Sequence, residues 1–179
     1  MKIFATLASL IIFAGFIALS VRKFGWKDSY SAYAQLWKKA VPIHNLNVWS
    51  LVTVIVAFLL VPAMLEAGDE SPLQFLGFFA PIYLAVVAFT PDWDINPEDE
   101  KNEADRLNHK RQRIIHKVGA ALCATATVCW LIFALRLWFL IPITLVATGL
   151  AAYFTKTYKN YVFWLEMAMF AAVYIAALV

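Results

Sequence analysis

Charge is scarce in this chain. Asp, Glu, Lys and Arg make up 15% of its 179 residues, against about a quarter in a soluble globular domain. With 63% of residues apolar and a mean hydropathy of +0.70, a soluble fold of this size could not hide the apolar surface. Cysteine is scarce too. Cys123 and Cys129 stand six apart in one apolar segment. Six residues turn a helix by about 600°, so the two thiols point to different sides. That excludes a mutual disulfide and a zinc site built on them. There is no Gly-rich phosphate loop, no GxSxG, no HExxH, no CxxC and no HxxxH. The chemistries those motifs carry have no foothold here. A nucleic-acid partner is excluded as well. The net charge is only +3, and the basic residues cluster beside apolar runs.

What remains is an all-α polytopic membrane protein. Apolar runs of roughly 17 to 25 residues mark helices that cross a ~30 Å hydrocarbon core. Six are present: Ile3–Val21, Val48–Leu65, Leu73–Phe89, Val118–Leu135, Leu137–Phe154 and Tyr161–Val179. The fourth and fifth are parted only by Arg136, which predicts a tight helical hairpin there. Pro81 and Pro142 lie inside the third and fifth spans, where each would kink its helix. The length suits one domain, residues 1–179. Ile3–Val21 could serve as a signal peptide, but its apolar run is long and Arg22, Lys23 and Lys27 follow it directly. It reads as a true span.

Thirteen of the 15 basic residues fall in the first, third and fifth loops. The bias of Lys and Arg toward the cytoplasm then places both termini on the non-cytoplasmic side of a bacterial-type inner membrane. In the first loop, Tyr30, Tyr33, Trp37 and Val41 recur at helical spacing beside Lys38 and Lys39. They predict an amphipathic helix near 28–41, capped by Asp28 or Ser29, with its aromatics in the headgroup layer. Lys38 and Lys39 there, and Arg111, Arg113 and Lys117 in the third loop, are candidate contacts for anionic lipid headgroups.

The third loop and its flanks, residues 90–117, hold most of the acidic residues. Asn96 and Pro97 make a helix-start signal, and Glu98, Asp99 and Glu100 suit a first turn. A helix running on into the fourth span is expected. Asp92, Asp94, Asn96, Glu98, Glu100 and Glu103 match the ligand positions of a calcium loop, but Pro97 occupies the position that needs glycine. A looser carboxylate site for Mg²⁺ or Ca²⁺ stays open.

A non-contiguous set carries the chemistry. Asp92 and Asp94 leave the third span, His116 begins the fourth, and Glu166 lies about a turn and a half into the sixth, all toward one face. An ionisable residue inside a span is a functional hypothesis by default. Asp92, Asp94, His116 and Glu166 are candidate metal ligands. Asp92, His116 and Glu166 are candidate catalytic residues, since a metal among them would activate water. The alternative is a structural network in which Glu166 pairs with Lys117, Lys159 or His116. His44 and His109 are unpersuasive ligands. His109 and His116 stand two helical turns apart, too far to share one metal. Small residues at Ala168, Ala172 and Ala176, and at Gly119, Ala120 and Ala124, suit helix packing.

Asp28-Ser29-Tyr30-Ser31 after the first span and His116-Lys117-Val118-Gly119-Ala120 opening the fourth resemble the layout of small six-helix proteins of the Frag1/DRAM/Sfk1 and DUF998-like group. The turn at Phe89-Thr90-Pro91 before that helix is similar to small integral membrane proteins of gut bacteria and their phages. The resemblance implies a non-enzymatic role in lipid organisation, with no catalytic residues to transfer. Three functions are therefore expected in order. The leading one is a lipid-associated accessory or structural protein without cofactor, with membrane lipids as partners and a homo-oligomer or a membrane partner as further options. Next is a metal-dependent intramembrane hydrolase of lipid. A small-solute or ion transporter coupled through Glu166 comes third, although the third to fifth spans offer almost no charged lining and no internal repeat is visible.

Overall fold

The structure, a computed structural model, describes residues 1–41, 47–90, 103–156 and 160–179. It is all-helical among those residues: α1 Lys2–Phe24, α2 Ala32–Ala40, α3 Val48–Ala67, α4 Leu76–Phe89, α5 Glu103–Cys129, α6 Leu140–Thr155 and α7 Tyr161–Leu178. Among the described residues, four helical segments are long and apolar enough to cross a membrane, namely α1, α3, α7 and Arg106–Ala134 of α5 with its extension. By length and composition the chain is an integral membrane protein. With 14 and 16 residues, α4 and α6 are shorter. At 1.5 Å per residue they reach about 21 and 24 Å, less than a full hydrocarbon core.

The helices pack as an open arc. α1 lies on α3 and α7, α3 on α4, and α4 on α5, while α6 lies on α7. α5 and α6 follow each other in sequence yet scarcely touch. The arc is closed on its inner side by an apolar core that includes Trp49, Val56, Leu60, Met64, Trp130, Leu131 and Phe163. Its open side lies between α5 and α6.

Local chemistry accounts for the turns. Asn47 caps α3 by accepting the Trp49 N–H at 3.0 Å, and its amide donates to Ala34 O at 2.8 Å. That fixes the first turn of α2 to the start of α3. α5 does not stop at Cys129 but widens into one π-type turn, Trp130–Ala134, in which the Leu135 N–H reaches back to Trp130 O at 3.1 Å. Arg136 then takes a left-handed conformation, φ 58°. The Leu137 N–H bonds to Leu131 O at 2.7 Å, which makes a tight turn at Arg136, but the expected helical hairpin does not form, because α6 packs on α7 and not back along α5.

Several expectations change. α4 begins at Leu76 rather than Leu73, because residues 68–76 wind through a series of tight turns such as Gln74 N–H to Ser71 O. Pro142 is the third residue of α6, where its missing N–H has no helical partner to lose, so it forces no kink. Pro62 sits inside α3 instead. α2 starts at Ala32. Neither Asp28 nor Ser29 caps it with a side chain, and the Ser29 and Ser31 hydroxyls bond each other at 3.0 Å. Its aromatics do not face the headgroups either. Tyr30, Tyr33 and Trp37 are buried against the bundle, because each hydroxyl or indole N–H finds an internal acceptor. Tyr33 Oη donates to Gly25 O at 2.8 Å, and Trp37 Nε1 donates to Ser20 Oγ at 2.8 Å. The helix is a plug on the inner side of the arc, with Lys38 and Lys39 pointing outward.

Candidate functional site

The open side of the arc holds a cavity of about 380 Å³, within the range of small-molecule sites, about 300–1,000 Å³. Five helices wall it. α5 contributes one face of small side chains, Ala120, Cys123, Ala124 and Thr127, spaced three and four apart. α3 and α4 supply Leu60, Met64, Leu84 and Val87, α6 supplies Ile141, Thr144 and Leu145, and α7 supplies Leu165, Met169, Phe170 and Val173. Ala120, Ala124 and Leu145 are exposed. The cavity is therefore open along its side, between α5 and α6.

Its polar end lies where α1 finishes and α7 begins. Glu166 lines the cavity, and its Oε2 accepts the Tyr30 N–H at 2.6 Å. The adjacent Phe163 N–H bonds Asp28 O at 2.9 Å, so the loop after α1 is laced onto the first turns of α7. Tyr30 also lines the cavity. Its hydroxyl meets Thr53 Oγ1 at 2.8 Å, and Thr53 Oγ1 donates to Trp49 O, so the phenol is the donor. Burial pushes the Tyr30 phenol well above the ordinary range of 10.0 and holds it protonated. The Tyr30 ring lies 5.2 Å from Trp49 and 6.1 Å from Phe170, centroid to centroid. Both of those rings line the cavity too.

His116 enters from α5. Its Nδ1 faces Thr90 O, the carbonyl that follows α4. A carbonyl only accepts, so Nδ1 carries the proton and Nε2 is the acceptor in the neutral ring. The side chain is buried and lines the same cavity as Glu166. The structure thus brings His116 and Glu166 to one void. Asp92, Asp94, His44 and Lys159 lie outside the described residues, as does the Asn96-Pro97 helix start. Among the described residues there is no group of three His, Cys, Asp or Glu side chains able to hold a metal. Glu166 pairs with no cation among them. The backbone of Tyr30 takes the place that Lys117 or His116 was expected to fill. Lys38, Lys39, Arg111 and Lys117 are exposed and Arg113 is half-buried.

Two features were not read from the sequence. The small residues Gly119, Ala120 and Ala124 do not share a packing role. Gly119 faces α4, where an added Cβ would lie 3.3 Å from Val87 Cγ2, whereas Ala120 and Ala124 line the void. Tyr30 and Trp49 also belong to the site. No spacing links residues 30 and 49 to 166, so no sequence signal could have joined them.

Compared with models of known protein families, with curated proteins and with solved structures, the chain matches none of them.

Proposed function

We propose that this protein is a lipid-associated membrane protein without a catalytic role, whose arc of helices accepts an apolar chain from the bilayer. The carrying observation is the side-opening cavity between α5 and α6, apolar along most of its wall. In a bilayer such a void fills with hydrocarbon rather than staying empty, because vacancy forfeits the dispersion contacts of its lining. The resemblance of two short stretches to small six-helix membrane proteins of lipid organisation supports the same class. Six crossings are proposed, with α4 and α6 as the two short ones. Both termini then lie outside the cytoplasm of a bacterial-type inner membrane. Lys38, Lys39, Arg111, Arg113 and Lys117 face the anionic inner leaflet.

The test is lipid retention. Ala124 is exposed and lines the cavity, so Ala124→Phe sends a ring into the void rather than into packed core. Native mass spectrometry of protein released from detergent should show bound lipid on the wild type and at least about threefold less on Ala124→Phe, which is a shift of about 0.7 kcal/mol. Equal lipid on both, or none on the wild type, would overturn the reading.

One observation favours a metal-dependent lipid hydrolase as the second reading: His116 and Glu166 line one cavity. His116 Nε2 and the Glu166 carboxylate would then be ligands, with Asp92 or Asp94 completing the set and one carboxylate acting as base. Elemental analysis of the same preparation decides between them. About one equivalent of Zn²⁺ in the wild type, lost in both His116→Ala and Glu166→Gln, would replace the first reading with the second.

A further inference from the structure

We infer that the cavity selects an amphiphile with a single alkyl chain and an ammonium head, with the chain along α5 and α6 and the ammonium on Glu166. This deepens the lipid-binding reading and rests on it.

The argument starts from the two oxygens of one carboxylate. Glu166 Oε2 is held by the Tyr30 N–H. Oε1 makes no hydrogen bond among the described residues, and the side chain lines the cavity. A carboxylate that accepts one backbone donor and presents its other oxygen to a void is built to receive a further donor. In an apolar surrounding, the donor that matches it best is a cation, because a charge-assisted hydrogen bond is roughly twice as strong as a neutral one. The surrounding side chains fit the same ligand. Tyr30, Trp49 and Phe170 line this end, and aromatic faces attract ammonium groups. Among the described residues Glu166 is the one acidic side chain in the lining, and none of them brings a Lys or Arg to it.

The rest of the wall fits an unbranched chain. The small side chains of α5 at 120, 123 and 124 leave room along the helix, and the opposing wall of Leu145, Met169 and Val173 is apolar. Thr127 and Thr144 are the polar groups farther along. Thr127 Oγ1 donates to Cys123 O at 2.9 Å, and Thr144 Oγ1 donates to Leu140 O at 2.9 Å. Both hydroxyls are satisfied within their own helices, so they do not ask for a second polar group on the ligand. A head at one end and a chain through the remainder is the arrangement this lining fits.

The test compares three probes of equal chain length on full-length protein in phosphatidylcholine nanodiscs, with empty nanodiscs as baseline: dodecylamine, dodecanol and dodecanoate. The wild type should bind dodecylamine about tenfold more tightly than the other two. Glu166→Gln keeps an amide oxygen for the Tyr30 N–H and so keeps the fold. It should bring dodecylamine to the level of dodecanol. Glu166→Asp, which keeps the charge, should retain a preference for the amine, and Ala124→Phe should weaken all three probes. If the wild type binds the three alike, or Glu166→Gln leaves the amine preference intact, the ammonium assignment is overturned while chain binding stands. If no probe binds the wild type better than Ala124→Phe, the chain-binding reading falls with it.

Discussion

Tyr30 ties the site together at the scale of single residues. Its N–H holds Glu166 of α7, its hydroxyl holds Thr53 of α3, and its ring packs against Phe13 of α1. One residue in a connecting loop thus fixes three spans. Tyr30→Phe removes the phenol donor and should lower the stability of the detergent-solubilised protein by about 1 kcal/mol, read as a lower midpoint of thermal unfolding. The same phenols set a response to alkali. Burial raises Tyr30 above the ordinary range and pushes Tyr33 from 10.0 up to about 12. The folded state therefore keeps protons that the unfolded chain has already released, so folding loses stability as pH rises above 10 and on through about 12. The stability is fully present below pH 10. Thermal midpoints measured from pH 8 to 11 should fall at the upper end, with a shallower fall for Tyr30→Phe and Tyr33→Phe. Equal slopes in wild type and variants would remove these phenols from the account.

At the scale of elements, the joint between α3, α4 and the end of α5 is the tightest place in the fold. A Cβ on Gly77 would stand 2.9 Å from Met64 O and 2.9 Å from Trp130 Nε1. Trp130 is fully buried, and Met64 O is backbone within α3. Neither can yield without moving a helix. Gly77→Ala should therefore cost about 1–3 kcal/mol through overpacking. Gly68 is the control. Its Cβ would meet Gln74 Cα and Trp130 Nε1 at 3.5 Å, ordinary contact distances, and Gly68→Ala should stay within about 0.5 kcal/mol of wild type. Comparable losses in both would show that close approach is not what places glycine at 77. This joint also explains the arc. It clamps α4 onto α3 and the last turns of α5 at the end away from Glu166. The helix after the Arg136 turn leaves in a different direction and packs on α7 instead.

For the whole molecule, orientation is the feature with the widest consequence. Lys23 stands over the Trp37 ring at 4.7 Å, at the same end as Lys38, Lys39, His116 and Glu166. Glu66, which accepts the Lys2 N–H at 2.9 Å, marks the opposite end. Under the proposed orientation the polar end of the cavity lies toward the basic, cytoplasmic face. In a variant with Cys123 and Cys129 replaced by alanine, a single cysteine at Glu70 should react with a membrane-impermeant maleimide in intact cells. One at Lys39 should react only after the membrane is broken. The reverse pattern would invert the protein and place that polar end toward the outer leaflet.

The sequence by itself determined the helical class, the apolar segments, the break at Arg136 and the uneven spread of basic residues. All of these are local: run length, period and composition are properties of neighbouring residues. It also marked His116 and Glu166, because ionisable groups beside or within apolar runs stand out. It could not say what Glu166 faces, since one residue on a helix carries no phase of its own. The tertiary structure decided that. It set Tyr30 against Glu166 across 136 positions, turned the aromatics of α2 inward, and divided the small residues of α5 between a packed face at Gly119 and an open one at Ala120 and Ala124. The physical reason is that a cavity is defined by helices that fail to meet, and whether α5 and α6 meet depends on how each is held by α4 and α7, not on the residues that join them.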